Sequence, residues 1–181
     1  MKKVLIILSL ILVIACQSGK KEYTIRPNAV GLITETTKVE QLRDLYPQDS
    51  IHQLSLNNQL ASINKKYELY SKEGDKMLVL EPNGTADTSK IAQVEVISPK
   101  FKTKKGLNVN STYKQVYENY KIASINRTMV NIIINLENED IYLAIDNKHL
   151  PENLQYDDKA VVKPTQIPDD APLKYFWVNL N

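Results

Sequence analysis

Apolar residues are distributed along the chain in three different ways. Val4 to Val13 is a nearly unbroken apolar run preceded by Met1-Lys2-Lys3 and followed by Ile14-Ala15-Cys16 and the polar stretch Gln17-Ser18-Gly19-Lys20-Lys21-Glu22. A positive start, a short apolar centre and a small residue before a junction form the layout of a secretory signal. The run is too short for a membrane span, which needs about 20 apolar residues.

Further on, helical spacing appears twice. Val39, Leu42, Leu45 and Tyr46 share one face, with Pro47 as the stop, and Tyr113, Val116, Tyr117 and Tyr120 fall at i, i+3, i+4 and i+7. Thr36 or Thr37 before the first helix, and Ser111 or Thr112 before the second, supply hydroxyls for the unpaired amides of a first turn.

Strand-like runs follow each helix. The pattern predicts strands over Ser50 to Leu56, Lys66 to Ser71, Lys76 to Glu81 and Lys90 to Ser98, then over Lys121 to Asn126, Met129 to Leu136, Ile141 to Asp146 and Leu173 to Leu180. Lys72-Glu73-Gly74-Asp75 and Glu137 to Asp140 are expected turns. Most gaps are too short for parallel crossovers, so antiparallel sheets are expected.

The two helical stretches resemble one another. Gly31-Leu32-Ile33-Thr34-Glu35-Thr36-Thr37 lies 75 residues before Gly106-Leu107-Asn108-Val109-Asn110-Ser111-Thr112 by its glycines and 74 by its helical anchors. Duplication gives such a match, and so do two independently capped helices. The expected fold class is α+β in two similar halves, each a short helix followed by an antiparallel sheet of about four strands. Residues 1–15 are then a signal peptide, 16–27 a lipidated cysteine and polar tether, 28–100 the first half and 101–181 the second.

Val13-Ile14-Ala15-Cys16 resembles a bacterial lipobox. The resemblance covers about the first 20 residues and implies a diacylglycerol on the Cys16 thiol, with cleavage between Ala15 and Cys16. An ordinary cleaved signal with an incidental cysteine, or an uncleaved anchor, is the alternative. Each buried methylene stabilises membrane attachment by about 0.8 kcal/mol, and two acyl chains hold where one is marginal. The resemblance implies a membrane-anchored envelope protein. Gln17 does not match the aspartate retention signal of Gram-negative inner-membrane lipoproteins, so in such an organism the outer membrane is the expected destination, with the body facing periplasm or cell surface.

The tandem helix-plus-sheet layout is similar, weakly, to β-lactamase inhibitor protein modules and small lipoproteins of outer-membrane assembly. Those usually open with two helices, where this sequence offers one per half. The chain also resembles small envelope lipoproteins in general, from which only the role of Cys16 carries over.

Charge and chemistry narrow the reading. The 181 residues hold 23 basic and 21 acidic side chains, and losing Lys2 and Lys3 with the signal leaves 21 of each. A neutral body is not the footprint of a nucleic-acid binder. Cys16 is the only cysteine, so lipidation leaves a thiol-free body. His52 and His149 lie far apart with no companion ligand at zinc spacing. The clusters Glu137-Asn138-Glu139-Asp140, Asp157-Asp158 and Asp169-Asp170 lack the EF-hand alternation.

No nucleophile elbow or phosphate loop is present. No catalytic residue, metal site or cofactor is therefore expected. The expected partners are the membrane, through Cys16, and another envelope protein, met by a surface of Tyr113, Tyr117, Tyr120, Lys102, Lys104 and Lys105. A solvated loop is the plainer reading of the lysines, and packing on a sheet that of the tyrosines. The leading expectation is a non-catalytic protein-binding or assembly module. An inhibitor of an envelope or extracellular hydrolase and a carboxylate-dependent envelope hydrolase are the alternatives, the last requiring two convergent acids.

Overall fold

A computed structural model describes residues 22–54, 65–155 and 161–180. The architecture is α+β, with two sheets and short helices. Three short strands open it: β1 (Thr24–Arg26), β2 (Ala29–Val30) and β3 (Ile33–Thr34). A 3-10 turn at Val39–Gln41 leads into α1 (Leu42–Leu45). Then come β4 (Ser50–Leu54), β5 (Lys66–Tyr70), β6 (Lys76–Pro82), β7 (Ile91–Val96) and β8 (Lys102–Thr103). The remainder is α2 (Tyr113–Asn119), β9 (Ile122–Arg127), β10 (Asn131–Leu136), β11 (Ile141–Asp146), α3 (Glu152–Gln155) and β12 (Tyr175–Asn179).

The larger sheet has the order β4-β5-β6-β7-β12-β11-β10-β9 and is antiparallel at every pairing. Strand alternation sends one set of side chains inward, among them Leu69, Leu78, Leu80, Val94, Ile132, Ile134, Leu143, Phe176 and Val178, all fully buried. Their cover comes from the helices and the small sheet β3-β2-β1-β8, which contribute Ile25, Val30, Ile33, Leu42, Phe101, Tyr113 and Val116 to one continuous core. The result is two layers, with the other face of the large sheet turned to solvent.

Several predicted strands shift at their ends. The first ends at Leu54 within the described residues, the second at Tyr70, and the last begins at Tyr175 rather than Leu173. The tether expected over 16–27 needs a larger correction, because Thr24–Arg26 is β1, paired antiparallel with β2 and parallel with β8. Ile25 is the reason: it is buried in the core while Arg26 beside it is exposed. Residues 16–21, with Cys16 and the cleavage site before it, lie outside the described residues, as does Asp157-Asp158.

The stretches leading into α1 and α2 are wired alike. Thr37 Oγ1 accepts from the Thr34 N–H at 2.9 Å, and Ser111 Oγ accepts from the Asn108 N–H at 3.1 Å. Lys38 N–H donates to the Gln41 side chain, and Thr112 N–H to the Gln115 side chain. Val39 and Glu40 donate backbone N–H groups to Ser89 and Asp87 carbonyls, and Tyr113 and Lys114 to those of Ala171 and Asp169. Ile91 N–H reaches Thr37 O at 2.9 Å, and Leu173 N–H reaches Ser111 O at 3.1 Å. These bonds pair the first three amides of each helical start. They also tie each start to the segment entering β7 or β12.

Candidate functional site

The solvent face of the large sheet carries a row in register across all eight strands: His52, Glu68, Val79, Glu95, Trp177, Tyr142, Asn135 and Ser124. Period-two alternation puts Trp177 and Tyr175 on this face because Phe176 and Val178 take the core. The Tyr175 and Trp177 rings stack with centroids 4.9 Å apart and 23° between planes. In the adjoining row Tyr175, Ala144 and Ile133 are in register. Tyr142, Tyr175, Trp177, Ile133 and Val79 therefore form a half-buried aromatic and aliphatic centre.

Ion pairs frame this centre. Lys174 Nζ meets Asp146 Oδ2 at 3.0 Å, Lys66 Nζ meets Glu81 Oε2 at 3.0 Å, and Lys76 pairs with Glu68. Glu68 also accepts from the Tyr70 hydroxyl at 2.8 Å, and the His52 and Tyr70 rings meet edge to face at 5.4 Å. Hydrogen bonding from Lys76 holds the Glu68 carboxyl below the usual carboxylate range. Backbone bonding from Lys148 and then the Lys174 ammonium do the same for Asp146. In both, the surroundings favour the ionised, hydrogen-bond-accepting carboxylate.

Two grooves flank the helices on the other layer. One, of about 460 Å³, is lined by Tyr113, Tyr117, Pro164, Thr165, Ile167 and Asp169. The other, of about 270 Å³, includes Val39, Leu42, Arg43 and Asp87 in its wall. Tyr117 donates its hydroxyl to Asp169 Oδ1 at 2.9 Å, and that carboxylate bond pushes the Tyr117 phenol up.

The expected tyrosine and lysine surface does not assemble. Tyr113 is 1% exposed and Tyr120 7%, leaving Tyr117 as the exposed member of the stripe at 40%. Helical spacing marks the packed face, so the stripe is mainly core. The Tyr120 hydroxyl is 2.6 Å from Thr103 Oγ1, and Lys105 Nζ sits 4.4 Å from the Tyr120 ring centroid while donating to Asn119 O. Lys102 and Lys104 are exposed on and just after β8, away from the groove that contains Tyr117.

His52 is exposed on edge strand β4, and His149 is half-buried in the 3-10 turn Asn147–His149. Among the described residues no group of three His, Cys, Asp or Glu side chains is placed to hold a metal ion, and no helix is long and apolar enough to cross a membrane. The aromatic face was missed by the helical reading. Its signal was the alternation Tyr175-x-Trp177-x-Asn179 within the predicted last strand.

Fold and face define a class: a two-layer α+β protein with a broad open sheet. Among solved structures, the chain is similar to the uncharacterized protein yfeY from Escherichia coli, with a TM-score of 0.55 and 13% identity over 87% of this chain and 99% of that one. At that identity the likeness shows the fold alone. The chain matches no family model and no curated protein.

Proposed function

We propose that this chain is a membrane-anchored envelope lipoprotein whose body is a non-catalytic protein-binding module. The anchor rests on the lipobox Val13-Ile14-Ala15-Cys16. The binding role rests chiefly on the open face centred on Trp177, Tyr175 and Tyr142. Aromatic residues in the middle of a polar, ion-paired rim are the composition of an interface core. The partner is another envelope protein, consistent with a body carrying equal numbers of basic and acidic groups.

We further propose that the body is two similar halves, each a helix followed by a four-strand meander. The matched hydrogen bonds at Thr37 and Ser111, and the sheet order that joins the meanders at β7 and β12, support this reading.

Two experiments test the reading. Cys16→Ala should release the body from the membrane fraction, and unchanged attachment defeats the anchor. A photo-cross-linking residue at Glu95, beside Trp177 in the row, should give one discrete adduct in intact cells that Trp177→Ala abolishes. The same probe at Glu118 on α2 should give none. Equal adducts at both positions, or none sensitive to Trp177→Ala, defeat the face.

A further inference from the structure

The small sheet carries its own chemistry on the side turned away from the core. Ile25 and Thr103 point inward and are buried, whereas Arg26 and Lys102, their neighbours along β1 and β8, are exposed. Lys104 and Lys105 follow Thr103 directly and Lys100 precedes Phe101, all three exposed. Five cations thus gather along two adjacent parallel strands and their ends.

Ion pairs engage many of the other lysines, at Lys38, Lys65, Lys66, Lys72, Lys76, Lys114, Lys121 and Lys174. Among the described residues, none of Arg26, Lys100, Lys102, Lys104 and Lys105 has a carboxylate within ion-pair distance. Glu73 is the acid whose carboxyl feels Lys100 across the cleft that both line with Glu22 and Tyr23. Arg26 instead donates to the Gly31 carbonyl at 3.1 Å, and Lys105 to that of Asn119, so two of the five heads are held in place.

The chain enters the body at this same sheet. Lys102 N–H donates to Tyr23 O at 3.0 Å, and the Tyr23 and Phe101 rings meet at 5.3 Å. Cys16 precedes Glu22 by six residues, which span at most about 20 Å when fully extended. A lipid on Cys16 therefore keeps this sheet near the bilayer. The inference rests on the anchor reading above.

We propose that the exposed side of the small sheet, through Arg26, Lys100, Lys102, Lys104 and Lys105, lies against anionic lipid headgroups. The anchor supplies attachment and the cations supply orientation. Basic groups near an anionic surface are attracted over roughly a Debye length, about 8 Å at physiological salt. Because the large sheet forms the opposite layer, its aromatic face then points away from the membrane.

Protein purified from its own membranes and returned to vesicles tests this. One set of vesicles is phosphatidylcholine, and the other adds phosphatidylglycerol. Acetylation of individual lysines is read by mass spectrometry, with the lipid on Cys16 read from the same sample. On the anionic vesicles Lys100, Lys102 and Lys104 should react about threefold more slowly or less, with the difference removed by high salt. Lys66 and Lys174, on the sheet side, should react alike on both.

A lipidated chain whose lysines react equally on the two vesicles overturns the orientation and leaves the anchor standing. A Cys16 without lipid overturns the anchor and the orientation with it. In a Lys102→Gln/Lys104→Gln variant, exposed positions that leave the core untouched, Lys100 should lose most of its protection. Full protection there assigns the effect to another surface and overturns the proposal.

Discussion

The start of α1 and the start of α2 place the same backbone bonds on different side chains. Thr37 and Ser111 close the same loop, and Gln41 and Gln115 close the same cap. Yet the groove beside α1 shows Val39, Arg43 and Asp87, where that beside α2 shows Tyr113, Tyr117 and Asp169. The comparison separates what the fold demands from what the surface is free to vary. Backbone amides in the loop before each helix need an acceptor, and a threonine or a serine hydroxyl serves there alike. Groove side chains carry no such obligation.

The glycines before the two helices offer the largest contrast. Gly31 has φ +59°, and an added Cβ would lie 2.5 Å from Glu22 O, while Gly106 has φ +86° with nothing within 4 Å. Gly31→Ala should cost about 3 kcal/mol or more, combining left-handed strain with a backbone clash, and Gly106→Ala about 1 kcal/mol. Denaturant melts of the two variants measure this. Equal losses would mean that the close packing around Gly31 is relaxed in solution.

Tyr46 and Tyr120 end their helices in corresponding places and give the next contrast. Burial pushes the Tyr46 phenol up to about 12, against the opposing effect of the Leu32 N–H that its oxygen accepts at 3.2 Å. An unfolded tyrosine titrates near pH 10. The folded value is the higher one, so the contribution is whole below about pH 10 and is lost as pH climbs toward 12, roughly 2 to 3 kcal/mol. Tyr46→Phe should flatten that alkaline fall in thermal melts while costing about 1 kcal/mol at neutral pH. Burial also raises Tyr120, against the opposing effect of hydrogen bonds to the Thr103 hydroxyl and the Lys105 backbone. An unaltered alkaline profile in Tyr46→Phe shifts the effect to Tyr120.

Thr37→Ala and Ser111→Ala should each cost about 1 kcal/mol by leaving the Thr34 or Asn108 amide without its hydroxyl acceptor. Similar losses sharpen the likeness of the two starts, and a difference beyond about 1 kcal/mol breaks it. The smallest effect is expected on the open face. The Glu68 pKa is depressed, so its stabilising share is present above the normal glutamate range and fades as pH falls through the folded value. Glu68→Gln should remove that acid dependence at a cost of at most about 1 kcal/mol near neutrality, because the pair with Lys76 is partly solvated.

Most of the large sheet was readable in the sequence because its strands are five to seven residues long and alternate or run apolar between turn signals. The small sheet was not readable, since strands of two or three residues carry no period. Ile25 alone distinguishes β1 from a polar tether. Tyr113 and Tyr120 stood out by helical spacing, but that spacing selects the buried stripe. The half-buried aromatics of the open face lay on β12, where both faces of Tyr175-Phe176-Trp177-Val178 are apolar and alternation cannot say which one turns outward. Tertiary cover decides it, and cover is a property of distant segments.

The pairing of β7 with β12 also shapes how the molecule comes into being. The hydrogen bond from Gln93 to Asn179 joins residues 86 apart, and Val94 and Val178 face each other at the centre of the sheet. During synthesis, β7 emerges long before its central partner and has only β6 beside it until β12 arrives. Long-range closure of this kind is slow, and an open central edge invites pairing with other chains. A chain held back before residue 175 is thus an aggregation hazard, and its quality control depends on whatever shelters β7 in that interval.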